Sequence, residues 1–337
     1  MKNLQKGVSV FLALVAILVF TVPGRAQDAV FKTLAEIETL VYGQESSGSG
    51  LVARLAQVEK DLFGRELPGS LAERQQSLLA FLKEGSAGQP SFLFKIGVAE
   101  WAVFQGVHPG QPASTRIGSM ESQLEGTSQE GKPLAMRLER LTGMLLPEPV
   151  SGVPVEVPAQ TIFKVEIADA LAAKTAKAGD PFTMRLAGDL VVGDRLVAPK
   201  GSLVLGHVDS VKPPRSFGRK AEIRLAFDRL IPLGPEALTV LIGERAKAAA
   251  KSDASVVAAG TSVLGLFLLG PVGLAGGLLI RGDSAVIEEG TPFYLETAAL
   301  STATSYPVPP SLRGMLNPVE IRDIPPASGD TQGGSKP

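Results

Sequence analysis

The stretch "RLVAPKGSLVLGHVDSV" runs from Arg195 to Val211 and decides the fold of the second half of the chain. Apolar and polar residues alternate on both sides of Pro199-Lys200-Gly201, a pattern typical of two β-strands joined by a turn. The same period of two recurs in "TIFKVEIADAL" from Thr161, "FTMRLAGDLVV" from Phe182, "AEIRLAFDRLI" from Ala221, "ALTVLIGE" from Ala237 and "AVIEEGTPFYLETAAL" from Ala285. Residues 161–300 are therefore predicted to form a mainly antiparallel β-barrel or sandwich.

An uncharged, glycine-rich insert interrupts this domain at residues 254–280. Gly270-Pro271 predicts a break between two helices, about 254–269 and 272–280, because proline removes a backbone donor and suits a first helical turn. Three interpretations are open: a membrane span, a hairpin that contacts lipid or another subunit, and a pair of buried core helices. The residues assigned to membrane or oligomer contact are Gly260, Gly265, Phe267, Gly270, Pro271, Gly273 and Gly277.

The first region, residues 28–146, is predicted to be helical and repetitive. Three stretches each contain a glutamate, a glycine five residues later and an arginine ten or eleven residues after that glycine. The three sets are Glu38, Gly43 and Arg54; Glu59, Gly64 and Arg74; and Glu121, Gly126 and Arg137. Each set is called a Glu–Gly–Arg unit below. The region resembles short E-x4-G…LxxRL helical repeats of secreted bacterial proteins, and it is expected to contact other envelope proteins because one unit cannot bury its apolar stripe alone.

One unit illustrates the local physics. Leu51, Leu55 and Leu62 recur at helical spacing. Gly64 is expected to end that helix in a left-handed cap, and Ser70 is expected to cap the next one. A second apolar stretch, "SFLFKIGVAEWAVF" from Ser91, is either a partner- or membrane-facing patch or a core helix, and the core interpretation is favoured.

The N-terminal leader, residues 1–26, is typical of a secretory signal peptide. Lys2 and Lys6 form a positive region, Val8–Val22 is uncharged, and small residues at the two positions that signal peptidase recognises predict cleavage after Ala26. An uncleaved membrane anchor is the alternative, although the uncharged stretch is short for a span.

Two further segments are predicted to lie outside the folded domains. Residues 147–160 contain four prolines and are predicted to be a linker. Residues 304–337 are rich in proline and glycine and are predicted to be a disordered tail, because they bury too little apolar surface to fold.

Composition excludes several function classes. The 33 basic and 34 acidic residues are balanced, which argues against a nucleic-acid partner. The chain has no cysteine, so it has neither a disulfide framework nor a thiolate site. No motif indicates a catalytic centre, a cofactor or a metal site. His207 and Asp209 share a strand face by parity, but no nucleophile motif accompanies them.

Two minor features complete the list of candidates. A basic loop offers possible contact with anionic lipid or cell-wall polymer, against the alternative of a solvated hairpin loop; its residues are Lys212, Arg215, Arg219 and Lys220. An envelope hydrolase is disfavoured because the acids and bases fall at no recognisable spacing; the residues that would carry it are Asp169, Asp180, Asp194 and His207.

The strand motifs, taken in order, resemble a known family. "LVAPKGSLVLGHV", a basic loop, "RLAFDRL", an apolar insert and "IEEGTPFYL" are similar to the C-terminal β-barrel domain of TrbI-like scaffold proteins of conjugation and type IV secretion channels. The matching positions are Pro199, Lys200, Gly201, Ser202, Gly206, Arg224, Phe227, Arg229, Leu230, Gly290 and Thr291. The resemblance implies an oligomeric envelope scaffold whose insert enters the outer membrane. Family members carry an inner-membrane anchor, where this chain has a predicted leader and helical units.

The sequence therefore predicts an α+β protein: an N-terminal helical repeat region followed by a β-barrel or sandwich with a glycine-rich helical hairpin insert. The expected function is a non-enzymatic structural or assembly role in the bacterial cell envelope, in the periplasm or at the outer membrane. The expected partners are a membrane or other copies of the chain through residues 254–280. A soluble periplasmic module that binds a ligand or cell-wall glycan is the alternative.

Overall fold

The structure is a computed structural model that describes residues 23–86, 88–213, 220–253, 278–282 and 285–319. It has the predicted α+β class, with helices preceding an antiparallel β-barrel. The chain divides into two compact units. The first holds the described residues of Met1–Leu82 and Gln111–Arg137, and the second holds those of Lys83–Gly110 and Leu138–Pro337.

The first unit is built from helices with one buried stripe each. They are α1 (Pro23–Tyr42), α2 (Leu51–Phe63), α3 (Leu71–Leu79) and α5 (Ala113–Glu125), with the start of α6 (Leu134–Leu145). As predicted, α2 ends at Gly64, whose φ of 76° is left-handed. As predicted, Ser70 caps α3 in a reciprocal capping box with Glu73. A π-helical turn, Ala80–Glu84, continues α3.

The second unit contains the apolar helix α4 (Phe92–Phe104), which the sequence analysis favoured as core. Its Phe94, Val98 and Trp101 are at most 1% exposed. They pack with residues that lie far along the chain, namely Leu146, Val150, Leu196, Tyr306 and Val308. Helix α4 therefore belongs to the core of the β-containing unit, although the sequence analysis grouped it with the helical region.

Six strands close the barrel in the order β8-β7-β4-β2-β12-β9, and β9 pairs back onto β8. They are β2 (Ile162–Ile167), β4 (Pro181–Leu186), β7 (Leu203–Lys212), β8 (Ala221–Leu230), β9 (Leu238–Leu241) and β12 (Pro292–Thr297). Their inward residues alternate, as in β4, where Phe182, Met184 and Leu186 are buried. Strand β10 (Leu278–Gly282) extends the sheet beside β8.

Two smaller sheets and a short helix flank the barrel. One sheet has the order β1-β13-β6-β5 and uses β1 (Val153–Val157), β13 (Ser301–Pro307), β6 (Arg195–Ala198) and β5 (Leu190–Val192). The other pairs β3 (Leu171–Ala172) with β11 (Val286–Ile287). Helix α7 (Glu244–Ser252) packs on β12 and β2, and a 3₁₀ helix spans Pro310–Met315.

The predicted disordered tail, residues 304–337, is wrong over its described part. Strand β13 begins at Ser301 and pairs with both β1 and β6. Ala303, Ser305 and Tyr306 are at most 2% exposed, so the strand is part of the core although its sequence is small and polar. Ser305 Oγ also donates to the carbonyl of Val153 at 2.8 Å, which satisfies a polar group that the core buries.

Two other boundaries also differ from expectation. The linker predicted at 147–160 contains strand β1. Pro154 is tolerated in this strand because β1 lies at the edge of its sheet. The helix predicted over 272–280 is wrong at its end, since Leu278, Leu279 and Ile280 pair with β8 as part of β10. The rest of the predicted insert, residues 254–277, lies outside the described residues.

Candidate functional site

The apolar segment 254–277 is attached at both ends to elements of the barrel. On its N-terminal side, Asp253 ends α7 and accepts two hydrogen bonds, from Lys164 Nζ at 2.8 Å and from the Tyr294 hydroxyl at 2.7 Å. On its C-terminal side, Leu278 is 1% exposed and pairs with Leu225. Residues of β2, β12 and β8 therefore hold Asp253 and Leu278, the two residues that flank the segment. These two flanking residues are called the root of the segment below.

The cluster on the N-terminal side combines a cation, an anion and a buried phenol. The ammonium of Lys164 lies 5.8 Å from the centre of the Tyr294 ring. Burial, and then the hydrogen bond to Asp253, raises the pKa of Tyr294 above its ordinary value of 10.0. The hydroxyl therefore stays protonated and remains a donor to Asp253 at neutral pH.

The N-terminus of α7 is held by a buried carboxylate. Glu296, on β12, is 4% exposed and accepts a hydrogen bond from the backbone N–H of Ala246 at 2.8 Å. The negative charge at this end also complements the helix dipole. A Cβ on Gly243, the residue that precedes the helix, would overlap the Glu296 carboxyl group, so this contact requires glycine. Helix α7 is thus fixed to β12 at its start by Glu296 and at its end by Asp253.

The seven residues predicted to contact membrane or other subunits all lie outside the described residues. They are Gly260, Gly265, Phe267, Gly270, Pro271, Gly273 and Gly277. Of the basic loop, Arg215 and Arg219 also lie outside them. Lys212 is described, with its ammonium 2.8 Å from Glu222 Oε2 and its side chain 75% exposed. Lys220 is exposed at the start of the strand region.

The Glu–Gly–Arg units each form the same buried ion pair. Arg74 donates through Nε to Glu59 Oε1 at 2.8 Å and through a second nitrogen to Oε2 at 2.5 Å. Arg54 pairs with Glu38, and Arg137 pairs with Glu121, in the same way. The three glutamate side chains are 0% exposed. Such two-point pairs orient both side chains and are strong when desolvated.

Each of these glutamates also ties down the loop that follows its helix. The second carboxylate oxygen accepts the backbone N–H found eight residues on, from Ser46 at 3.1 Å, Leu67 at 3.2 Å and Gln129 at 2.8 Å. Burial alone raises the pKa of Glu38, but the hydrogen bonds from Arg54 and Ser46 outweigh it and leave the pKa below its usual value. The carboxylate thus acts as the fixed point of helix, loop and next helix.

A related arrangement around Glu100 was not predicted. Glu100 is 1% exposed and accepts the backbone N–H of His108 at 3.1 Å, again eight residues on. Gln105 ends the helix five residues after Glu100 with a left-handed φ of 53°. The spacing of glutamate and cap was present in the sequence, but glutamine replaces the expected glycine.

The buried Asp189 organises the region around Trp101. Its carboxylate is 6% exposed and accepts hydrogen bonds from Trp101 Nε1 at 3.1 Å, Lys200 N at 2.8 Å and Asn317 N at 2.9 Å. Each donor comes from a different part of the chain. No local pattern predicts this cluster, because the partners lie 88, 11 and 128 residues from Asp189 along the chain.

Strand parity predicted a shared face for His207 and Asp209, but the hydrogen-bond partner of His207 is a different aspartate. His207 Nδ1 lies 3.1 Å from both carboxylate oxygens of Asp228 on β8. Asp209 lies at a register shift between Val208 and Ser210, and this bulge breaks the parity on which the prediction rested. Both His207 and Asp228 are almost half exposed.

The described residues show neither a metal site nor a helix able to span a membrane. In the ranges between residues 23 and 319 that the structure describes, no group of three or more His, Asp or Glu side chains is placed to hold a metal ion. None of the described helices combines the length and apolar character that crossing a bilayer requires.

Comparisons with known proteins give little further information. No protein-family description matches the chain. No curated protein matches it either. Among solved structures, the chain is similar to ComB10 of the Com type IV secretion system of Helicobacter pylori, with 12% sequence identity and a TM-score of 0.22. The match covers 50% of this chain and 97% of ComB10. A TM-score this low supports no inference about fold or function.

Proposed function

We propose that this protein is a non-enzymatic component of the bacterial cell envelope with a structural or assembly role. The uncharged stretch 254–280, which consists of the apolar segment 254–277 and the first three residues of β10, serves membrane association or oligomerisation. The observation that carries this proposal is the attachment of an uncharged segment at both ends to one barrel, at Asp253 and at Leu278. A contact made by the segment is therefore transmitted directly to the barrel.

Composition of the segment supports the same role. From Ala254 to Ile280 the sequence has no charged side chain, and Gly273 and Gly277 have the small-xxx-small spacing that lets helices approach closely in lipid. In water, each helical glycine would cost up to about 1 kcal/mol relative to alanine, which a close-packed contact offsets. The strand motifs that resemble TrbI-like scaffolds, and the predicted leader, agree with an exported protein in the periplasm or at the outer membrane.

The helical units supply further contacts in this proposal. Their buried Glu–Arg pairs and tied loops make a rigid surface rather than a flexible one, which suits binding to other envelope proteins. The basic loop that includes Lys212 and Lys220 is proposed as a secondary contact with anionic lipid headgroups. The pairing of Lys212 with Glu222 weakens that contact, so we expect it to contribute less than the apolar segment.

The test compares the chain from Gln27 with a variant in which residues 254–277 are replaced by a short Gly-Ser linker. Flotation with liposomes and solution mass by light scattering are measured for both. The proposal expects the original chain to float with liposomes, or to have a larger solution mass than the variant, and it expects the variant to lose that flotation or that additional mass. Thermal unfolding provides the control for the fold, and Leu300→Ser, an exposed apolar residue 61% accessible, provides the matched surface change.

The opposite result would favour a different function. If both chains are monomers that stay with the soluble fraction, and the linker variant melts far lower, then the segment is buried core. The soluble binding module would then replace the envelope-scaffold proposal.

A further inference from the structure

The three Glu–Gly–Arg units differ at one position of their apolar stripe. Nine and six residues before the cap glycine, each unit has an apolar side chain that is 0% exposed; these residues are Leu34, Leu55, Ile117, Ile37, Val58 and Met120. Two residues before the glycine, Val41 and Leu62 are also 0% exposed, but Leu124 is 43% exposed. The third unit thus presents to solvent a position that the first two units bury.

The cap glycines show the same difference. A Cβ on Gly43 would lie 3.2 Å from Pro112 Cγ, and one on Gly64 would lie 3.0 Å from Pro133 Cγ. Both prolines directly precede a helix of another unit, α5 and α6 respectively. A Cβ on Gly126 would meet no described atom within 4 Å. The start of another helix therefore packs against two of the three caps, and the cap at Gly126 is open.

An exposed groove lies on helix α2, which belongs to the same compact unit of the fold as the three Glu–Gly–Arg units. It has a volume of about 720 Å³ and runs along α2 to the following loop, lined by Gly50, Leu51, Val52, Ala53, Ala56, Gln57, Lys60 and Glu66. Val52 is 59% exposed although it is apolar. A Cβ on Gly50, at the start of α2, would also meet no described atom within 4 Å. This α2 groove is a helix start that is not packed against a cap.

We infer that the Leu124–Gly126 end of one copy docks into the α2 groove of a second copy. The chain itself shows this mode of packing twice, since a helix start covers the cap at Gly43 and again at Gly64. Stacked helical repeats continue the same contact from unit to unit. Lys60 in the groove is paired with Glu66 at 3.1 Å, so the contact is expected to depend on apolar packing rather than on charge.

The contact joins two different surfaces, so it is head-to-tail. Such an interface produces a ring if the rotation closes and an open filament if it does not. The inference rests on the proposed assembly function, which requires contacts between copies. The inferred contact uses only residues of the first compact unit and none of the apolar segment, so the two proposals can fail separately.

Thiol cross-linking tests the contact directly, because the chain contains no cysteine and only introduced thiols can react. Leu124→Cys and Val52→Cys are prepared separately in the chain from Gln27 and treated with a short bis-maleimide, alone and as a mixture. We expect a cross-linked dimer in the mixture and at least tenfold less in either variant alone. Leu300→Cys, mixed with each, is the control at an exposed apolar residue of the second unit.

Two results of the cross-linking would overturn the inference. One is a dimer formed by Leu124→Cys alone, which would indicate that like surfaces meet. The other is a mixture that yields no more product than the Leu300→Cys control. Repeating the experiment with residues 254–277 replaced by the linker separates the two proposals: retained cross-linking with lost flotation supports both, and cross-linking lost along with the segment overturns this one.

Light scattering of charge variants gives a second, independent readout. Leu124→Asp and Val52→Asp are each made in the chain whose residues 254–277 are replaced by the linker, so that the segment adds no assembly of its own. Each substitution removes one of the two surfaces, so each variant is expected to have the mass of one chain. Their equimolar mixture retains one intact pair of surfaces and is expected to reach the mass of two chains and no more. If the variants keep the mass distribution of the linker chain without the aspartate substitutions, or if mixing does not restore a dimer, the inference is wrong.

Discussion

The hydroxyl of Tyr294 donates a hydrogen bond to Asp253 at 2.7 Å, and Asp253 is the last described residue before the apolar segment. Lys164 donates to the same carboxylate oxygen at 2.8 Å. These two donors come from adjacent strands, β12 and β2, that pair in the barrel. The exit of the segment is thus held by the wall of the barrel and does not depend on α7 alone.

Removing the phenol should loosen this exit. Tyr294→Phe deletes a hydrogen bond to a charged acceptor, which is expected to lower the free energy of unfolding by about 1.5 kcal/mol in urea denaturation. Lys247→Ala, in an exposed pair with Glu244 on α7, is the control and should have little effect. Equal losses for the two variants would show that the Tyr294–Asp253 contact does not hold the root.

Removing one partner of a buried Glu–Arg pair should lower the free energy of unfolding far more than replacing both partners. Arg74→Met leaves Glu59, 0% exposed, as an uncompensated buried charge, with an expected loss of about 3–5 kcal/mol. The double variant Glu59→Leu with Arg74→Met should recover most of that loss, because no buried charge remains. Chemical denaturation of the single and double variants measures both values. A double variant as unstable as the single one would show that the pair itself is essential to the packing.

A glycine pair tests the contact at the start of α7. Gly243→Ala places a methyl group into the Glu296 carboxylate and is expected to destabilise the protein by about 1–3 kcal/mol. Gly143→Ala, inside α6 with open space around the new methyl group, should instead stabilise it by up to about 1 kcal/mol. Thermal or urea unfolding compares the two. The changes in the free energy of unfolding are expected to have opposite signs. No change for Gly243→Ala would contradict the described contact.

The tyrosines should titrate abnormally late in the folded chain. All three have raised pKa values, chiefly because they are buried, and that of Tyr306 is raised to about 12. In the unfolded chain they ionise near the ordinary value of 10.0, so the unfolded state loses protons first. Stability is therefore full below about pH 10 and falls as the pH rises towards the folded pKa.

Absorbance at 295 nm measures this titration. We expect little tyrosinate in the folded protein at pH 10.5 and a normal titration in concentrated urea. Tyr306→Phe should reduce the loss of stability between pH 10 and 12, by urea denaturation at fixed pH. Ordinary ionisation of all three tyrosines in the folded protein would contradict their burial.

The alternation of apolar and polar residues was sufficient to predict the strands but not to predict which strands pair. The period of two in "TIFKVEIADAL" predicted a strand, and β2 spans Ile162–Ile167 within that stretch. It predicted neither the return of β9 to β8, which closes the barrel, nor the bulge at Asp209, nor the contact of His207 with Asp228. Closure and register depend on residues far apart in the chain, and a period carries no information about them.

Composition was misleading where a strand owes its place to its neighbours. Ser301–Pro307 is small, polar and followed by prolines, yet β1 and β6 cover it on both sides. In the helical region, by contrast, recurring Glu, Gly and Arg were visible in the sequence, and the structure shows why they recur: each glutamate holds an arginine and a loop N–H. The pairing across the loop was not predicted.

The most direct test of the central claim is the environment of residue 267. Phe267→Cys, the only thiol in the chain, is labelled with a fluorophore sensitive to polarity, and its emission is measured with and without liposomes. The account predicts a solvent-like emission in dilute protein that shifts to the blue and rises several-fold with liposomes or with self-association, while label at Leu300→Cys stays unchanged. An emission already blue-shifted in a dilute monomer, and unaffected by liposomes, would place the segment in the core and contradict the account.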